Sequence, residues 1–386
     1  MKLSLSKKQY LNKIKTSQLD LFETIGKNNS VLIFGAGRLG RKFLTKLQEN
    51  GIIVKAVIDE NKLLWGSKIN NIEVIPVKHA KKYTDLPVVI ASILYGNEIY
   101  KLLKKNNFKY IYTPYYLNLI NSKFFSIPQI SNMFESVFNY KNQSDISKVE
   151  KLLSDKESKM VLNNLIKFRI TADYKYIDNA RSKYKIFMEK TILGLMDKEV
   201  FVDCGAYDGD SIELFLKAAN SKYDKIYGFE PDLHNFRELK KWHKDSGKKN
   251  IFLIKKGVYS QTGIINFDDA GTVDSKIPNK SKIYKDKTEL SLNKNNYISV
   301  IKLDKYFANK SKPTLIKMDI EGAEVEALMG AEKIIKNYKP KLAISVYHKP
   351  TDLWNIILML NKFDSSYKFY LRHFTDEIAD TICYAV

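Results

Sequence analysis

Cysteine is nearly absent: the 386 residues include only Cys204 and Cys383. Two thiols cannot make a disulfide framework, so a reduced compartment is expected. No Cys/His cluster has zinc-site spacing, which excludes a zinc-finger module. Cys204 reads as a small packing residue rather than a catalytic thiol. Long apolar runs are also missing. None approaches the ~18 residues of a membrane span. The start, Met1 to Lys8, is basic but has no apolar core segment, so no signal peptide is expected. These absences point to a cytoplasmic protein, able to work beside a membrane if its acceptor is lipid-linked. Negative charge is in short supply: 43 Asp and Glu stand against 64 Lys and Arg, a formal net charge of +21. Such a surface can steer anionic partners. The lysines are scattered, however, with no dense basic arm and no RNA-binding signature, so nucleic acid is not the expected partner. No internal repeat is convincing.

What is present supports folded domains. Hydrophobic residues make up 44% and aromatics 12%, enough for buried cores. The length suits two to three domains. The pattern divides the chain into an N-terminal helical segment (1–29), a Rossmann-like nucleotide-binding-type domain (30–115), a mostly helical connector (116–197) and a C-terminal α/β domain (198–386).

The most informative stretch lies in the last of these. The apolar run Glu199 to Val202 leads into Asp203-Cys204-Gly205-Ala206-Tyr207-Asp208-Gly209-Asp210, and an amphipathic segment follows. That is a strand, a tight turn and a helix start. Twenty residues after Asp210 a second apolar run ends in Glu230-Pro231-Asp232. In an open α/β sheet, ligands bind beyond the carboxyl ends of the strands. Gly205 and Gly209 would let the turn approach a ligand without a Cβ, and Glu230 would accept hydrogen bonds from both ribose hydroxyls. The turn carries carboxylates, which repel a pyrophosphate and suit a cationic amino-acid end such as that of S-adenosylmethionine. A third apolar run ends at Asp319 and continues through Ile320-Glu321-Gly322-Ala323-Glu324. A fourth ends at His348, before Lys349-Pro350. Asp319 and His348 would therefore face the cofactor crevice.

VDCGAYDGDS, YGFEPD, IKMDIEGAE and ISVYHKP, in that order, resemble the FkbM-type S-adenosylmethionine-dependent methyltransferases. The resemblance covers about half the chain, from roughly Val200 to Val386, and extends to the closing segments Tyr367 to Phe374 and Thr381 to Ala385. It implies a seven-stranded class I methyltransferase fold and methyl transfer to a hydroxyl, often on a sugar or polyketide. Carried over by position, Asp203, Gly205 and Gly209 match the first glycine motif, with Ala206 and Asp210 in the same cofactor loop. Glu230 matches the ribose acid, flanked by Pro231 and Asp232. Asp319, Glu321 and Glu324 match the acidic signature after the fourth strand. The polar stretch Asn279 to Asn296 reads as an insertion or lid.

A second unit lies upstream. Ser30 to Phe34 is a strand, followed by Gly35-Ala36-Gly37-Arg38-Leu39-Gly40, a true G-x-G-x-x-G, and then a helix. Val54 to Ile58 leads into Asp59. Gly35 serves the turn, Gly37 permits a phosphate to approach, and Gly40 lets the helix pack on the strand; the helix start favours an anion. Further strands are expected at Lys68-Ile69, Glu73 to Ile75 and Leu86 to Ser92. This unit resembles the small Rossmann-like domains fused to sugar-modifying enzymes. It lacks the catalytic set and long substrate domain of a dehydrogenase, and three readings stand: it binds a nucleotide or nucleotide-sugar, it is a scaffold that kept the fold without the ligand, or it uses NAD. In the connector, Ser144 to Phe168 has helical spacing, and Arg169 to Asp173 with Tyr174 to Tyr184 is a candidate wall of the active site.

The resulting expectation is O-methylation of a small-molecule or glycan acceptor. Asp203 and the Gly205–Gly209 loop would receive the methionine end of the donor. His348, as neutral imidazole, is the first candidate general base and Asp319 the second. Asp319, Glu321 and Glu324 could alternatively hold a divalent cation, or the acids could simply complement a helix dipole. The rival readings are an NAD-dependent sugar oxidoreductase working through Gly35–Gly40 and Asp59, a non-catalytic nucleotide-sugar-binding module, and, more weakly, a nucleic-acid methyltransferase. The sequence leaves the metal and the oligomeric state open.

Overall fold

In the computed structural model, residues 21–26, 29–183, 186–266, 283–284 and 297–386 are described. Most of the N-terminal segment and nearly all of the lid stretch expected at Asn279 to Asn296 lie outside them, as does Tyr184 of the candidate wall. The chain divides into two compact units: Met1–Ser144 with Leu162–Arg181 and Thr375–Ile378, and Asp145–Val161 with Ser182–Phe374 and Ala379–Val386.

The first unit is built on a six-stranded sheet. Its strands are β1 (Ser30–Phe34), β2 (Ile53–Ile58), β3 (Lys68–Ile69), β4 (Ile72–Ile75), β5 (Val88–Ile90) and β6 (Ile111–Tyr112), in the order β3-β4-β2-β1-β5-β6. All neighbours pair in parallel except β3 with β4. Every residue of β1 and β5 is buried, as expected for parallel strands covered on both faces. Strand order reverses beside β1, which places the Gly35–Gly40 turn at a topological switch point. Helices Pro114–Ile120 and Pro128–Ser136 follow, each with proline in the first turn, where the missing N–H costs nothing.

The second unit carries β7 (Val200–Cys204), β8 (Lys225–Phe229), β9 (Ile251–Ile254), β10 (Gly257–Val258), β11 (Gly263–Asn266), β12 (Ile283–Tyr284), β13 (Tyr297–Ile301), β14 (Leu315–Met318), β15 (Lys341–Ser345), β16 (Phe369–His373) and β17 (Thr381–Ala385). Seven of them form a sheet in the order β16-β17-β15-β14-β7-β8-β9, and β10 to β13 make a separate small sheet. β17 runs antiparallel to both its neighbours and the other pairings are parallel. This is the seven-stranded Rossmann-like sheet of a class I methyltransferase. Order reverses between β7 and β14, so the turns after these two strands open on one crevice. Beneath them Phe201, Ile212, Phe215, Ile226 and Leu315 are fully buried in one core cluster. Against that background the fully buried Asp203 and the almost fully buried Lys317 stand out; they are register partners on β7 and β14.

Candidate active site

The turn after β7 is held by its own donors. The N–H groups of Gly205 and Ala206 both donate to the Phe229 carbonyl, each at 3.0 Å. Tyr207 N–H donates to Glu230 Oε2 at 3.0 Å, and Asp232 N–H to Glu230 Oε1 at 2.9 Å. Glu230 thus pins the glycine turn while keeping its carboxylate at the carboxyl end of β8. Burial pushes its pKa up to about 7, against the pull of those two backbone donors. Each carboxylate oxygen has a lone pair beyond the backbone bond it accepts, so the residue can still take two ribose hydroxyls.

Both glycines are required here by packing within the protein itself. Gly205 has φ +82°, and a Cβ on it would overlap the carbonyl oxygen of Asp319. Gly209 has φ +102°, and a Cβ would come within 2.6 Å of the Trp242 ring. Close packing of the β14 turn and of Trp242 therefore excludes a side chain at each. Tyr207 lies between them at φ +46°, a strained value for a residue with a side chain.

Asp203 is also placed differently from the expectation that it receives the donor's methionine end. It is fully buried, with Oδ1 2.9 Å from Lys317 Nζ and Oδ2 accepting from Ser211 Oγ at 2.5 Å. Lys317 Nζ also donates to the Gly205 carbonyl at 2.6 Å. Burial alone would lower the pKa of this lysine, but Asp203 and Asp319 more than offset that and raise it. The pair ties β7, β14 and the turn together. Asp232 likewise caps the helix Leu233–Ser246, accepting from His234 and Asn235 N–H at 2.8 and 2.9 Å. Asp210 is exposed at the first position of the helix Asp210–Ala218, and Asp208 beside it is exposed too. Cys204 is buried and its thiol is pushed up by burial, which fits packing and not catalysis.

The turns after β14 and β15 build an acid-rich cluster. His348 Nδ1 is 3.0 Å from Glu324 Oε1, and Nε2 is 3.5 Å from Asp319 Oδ1 and 3.4 Å from Glu321 Oε2. Asp319 Oδ1 accepts from Ser345 Oγ at 2.8 Å and from Tyr347 Oη at 3.2 Å. Glu324 Oε1 accepts from Ile320 N–H at 2.9 Å. Glu321 sits at φ +54°, a second strained residue at this edge. Asp380 adjoins the cluster; burial first, then Asp319, raises its pKa to about 6. The expectation of a neutral His348 needs correction. Burial alone would lower its pKa, but Glu324, Glu321 and Asp319 together raise it well above the ordinary value. These carboxylates favour the protonated ring over the neutral form expected of a base.

Asp352 backs the cluster. It accepts from Lys349 N–H at 2.9 Å, and burial, then Glu324, raises its pKa from 3.8 to about 7, while Lys349 and His348 pull the other way. Between those pH values the folded protein keeps a proton that the unfolded chain has released, so stability falls as pH rises through the window. Asp352→Asn keeps an acceptor for Lys349. In metal-free buffer the variant is expected to be more stable than the parent by up to about 4 kcal/mol at pH 8 and equal to it near pH 4, as read by urea unfolding.

In the first unit, Gly35 has φ +114° and Gly40 is packed against the Gly35 carbonyl. Gly37 is open, since a Cβ there would meet nothing within 4 Å. Asp59 accepts from Ala36 N–H and Asn61 N–H, each at 2.8 Å. It braces the turn as Glu230 does in the second unit.

Sequence reasoning missed Lys317, Ser211, Trp242, Tyr347, Asp352 and Asp380. Lys317 had a signal: a lone cation in an apolar run, as deep in its strand as Asp203 is in its own.

Comparison with known proteins agrees with this geometry. A model of the methyltransferase FkbM domain matches residues 203–381, and a model described as C2185-like, N-terminal, matches residues 27–110. The solved structure of methyltransferase FkbM from Methylobacillus flagellatus KT is similar across 98% of both chains, with a TM-score of 0.75 and 20% identity. At that identity the likeness is one of fold. An rRNA methylase from Streptococcus thermophilus is similar over 53% of this chain and 96% of its own, at 16% identity and a TM-score of 0.34, too distant to carry an argument. No curated protein matches the chain. The motifs, the sheet order and the family match converge: residues 203–381 are similar to the methyltransferase FkbM domain in sequence and in fold, and a separate N-terminal domain precedes them.

Proposed function

We propose that this protein is an O-methyltransferase that moves a methyl group from S-adenosylmethionine to a hydroxyl of a sugar, a glycan or a related small metabolite. The observation that carries the reading is the meeting of two turns at the switch point of the seven-stranded sheet. The turn after β7 is braced by Glu230, and the turn after β14 carries Asp319. The donor supplies an electrophilic methyl group when bound. Glu230 would hold its ribose, and the exposed Asp208 and Asp210 would favour its cationic end. Asp203 acts through Lys317, by fixing the Gly205 carbonyl. Asp319, partly exposed and oriented by Ser345 and Tyr347, is the side chain best placed to orient the acceptor hydroxyl and take its proton. Holding acceptor and donor near attack geometry can contribute about 7–11 kcal/mol to the rate.

The N-terminal unit is proposed to bind a phosphate-bearing ligand such as a nucleotide-sugar, with the open position at Gly37 and the brace at Asp59 as support. Incubation with methyl-labelled S-adenosylmethionine and a panel of sugar acceptors tests the main reading. Label is expected in a methyl ether, and Asp319→Asn is expected to lower turnover at least about 100-fold. Label found on nitrogen or carbon, or full turnover in Asp319→Asn, would contradict it.

A further inference from the structure

We propose that the cluster after β14 and β15 is a divalent-cation site, with His348 Nε2, Asp319 and Glu321 as ligands and Glu324 as the residue that orients the imidazole. The role given to the ion rests on the methyl-transfer reading; the site itself does not.

Three observations point to a cation. The first is spacing. Two ligand atoms about 2.1 Å from one ion stand about 3.0–3.4 Å apart for right-angle to tetrahedral geometry. Nε2 lies 3.5 Å from Asp319 Oδ1 and 3.4 Å from Glu321 Oε2. Asp319, Glu324 and His348 also bring ligand atoms within 4.8 Å of one another, which sets the imidazole and its orienting carboxylate together with Asp319. The second is an unspent side chain. The His348 side chain is more than nine-tenths buried, and its two nitrogens differ: Nδ1 faces Glu324 Oε1 at 3.0 Å, whereas the carboxylate oxygens toward which Nε2 points stand at 3.4 and 3.5 Å. A histidine serving only as a salt-bridge partner would be expected to point that second N–H squarely at an oxygen. The third is charge. Asp319, Glu321 and Glu324 surround one imidazole, with Asp352 and Asp380 behind them holding their protons more tightly than usual and with Lys317 and Lys349 nearby. That leaves an excess of negative charge at a partly buried place, which a divalent ion would offset.

The surroundings also sort ligands from supports. Glu324 Oε1 is already engaged by Ile320 N–H and lies 3.0 Å from His348 Nδ1. This is the carboxylate–histidine pairing that fixes ring orientation in metal sites. Ser345 and Tyr347 donate to Asp319, as donors behind a ligating carboxylate do. Glu321 is the most exposed of the set and lies toward solvent, where an acceptor would enter. One imidazole with two carboxylates suits an ion between the hard and borderline classes, such as Mn2+. An acceptor hydroxyl bound to it would be a stronger acid and would give its proton more readily to the Asp319 carboxylate oxygen that is not on the ion. The resulting alkoxide would then form the O–CH3 bond as the S–CH3 bond breaks and the thioether leaves.

The test is Mn2+ titration of the chelator-stripped full chain, followed by calorimetry and pulsed electron paramagnetic resonance. One Mn2+ per chain is expected, with a directly bound imidazole nitrogen in the spectrum. His348→Gln should abolish that nitrogen signal. His348→Gln and Asp319→Asn should each weaken Mn2+ at least 100-fold, and Glu321→Gln, the variant least able to disturb folding, about tenfold. Glu324→Gln, which can still accept from Nδ1, should retain more Mn2+ affinity than Glu324→Ala. S-adenosylmethionine binding, measured on the same samples, separates the two readings: its loss in the parent chain would sink the methyl-transfer reading, whatever Mn2+ does. Absence of saturable Mn2+ binding, equal binding in parent and variants, or binding without the nitrogen signal would overturn the site.

Discussion

Lys317→Met is expected to cost about 3–5 kcal/mol of folding stability, read as a lowered urea midpoint at constant slope. Asp203 is fully buried, and Lys317 Nζ at 2.9 Å is the cation facing it. Removing one member of a buried pair leaves the other charge uncompensated, and that is the costly event. Ser211 Oγ would remain as a donor to Asp203, but one hydroxyl cannot replace an ammonium group. The double variant Asp203→Asn with Lys317→Met should recover most of the loss, because a neutral amide can keep the Ser211 contact while no charge is stranded. A single-variant cost below about 1 kcal/mol would mean that the pair contributes little and that another group holds the turn. Since Lys317 also holds the Gly205 carbonyl, the double variant should stay folded but bind the methyl donor more weakly.

Glu230→Ala is expected to weaken S-adenosylmethionine binding by about 100-fold or more. Two hydrogen bonds to a charged acceptor are worth about 1.5–3 kcal/mol each, and about 2.7 kcal/mol is a factor of 100. The variant also frees the N–H groups of Tyr207 and Asp232, which loosens the turn. The pH profile distinguishes direct contact from loosening. Burial holds the Glu230 carboxyl at about 7, so it is largely protonated at pH 6 and ionised at pH 8. The ionised form is the better acceptor. Parent affinity should therefore rise across this range, while the variant should be flat. Parent affinity that is independent of pH would remove Glu230 from ribose binding.

Much of the fold was legible because each parallel strand of the two main sheets is a short apolar run closed by a turn signal. β7 and β15 end at or just after a polar residue, Asp203 and Ser345, while β8 and β14 run straight into Glu230 and Asp319, so the change from apolar to polar marks each strand end. The small sheet β10 to β13 was not legible: its strands are short, two have only two residues, and the pairing spans a long polar insertion. Site positions were legible as places and less so as roles. Asp203, Gly205, Gly209 and Asp232 all lie at the crevice edge, but their partners come from elsewhere in sequence: Lys317, the Asp319 carbonyl, Trp242 and a helix N-terminus. Spacing along one strand cannot show what stands on the next. His348 is the clearest case. The residue type suggested a neutral base, and only the placement of Glu321, Glu324 and Asp319 shows that the ring sits among carboxylates.

The measurement that tests the central claim most directly is calorimetric titration of the intact chain with S-adenosylmethionine at pH 8, set beside the same titration with NAD+. A saturable one-to-one heat with S-adenosylmethionine, reduced at least about 100-fold in Glu230→Ala, is the predicted result. No binding of S-adenosylmethionine, together with tight binding of NAD+, would contradict it and return the chemistry to the Gly35–Gly40 turn.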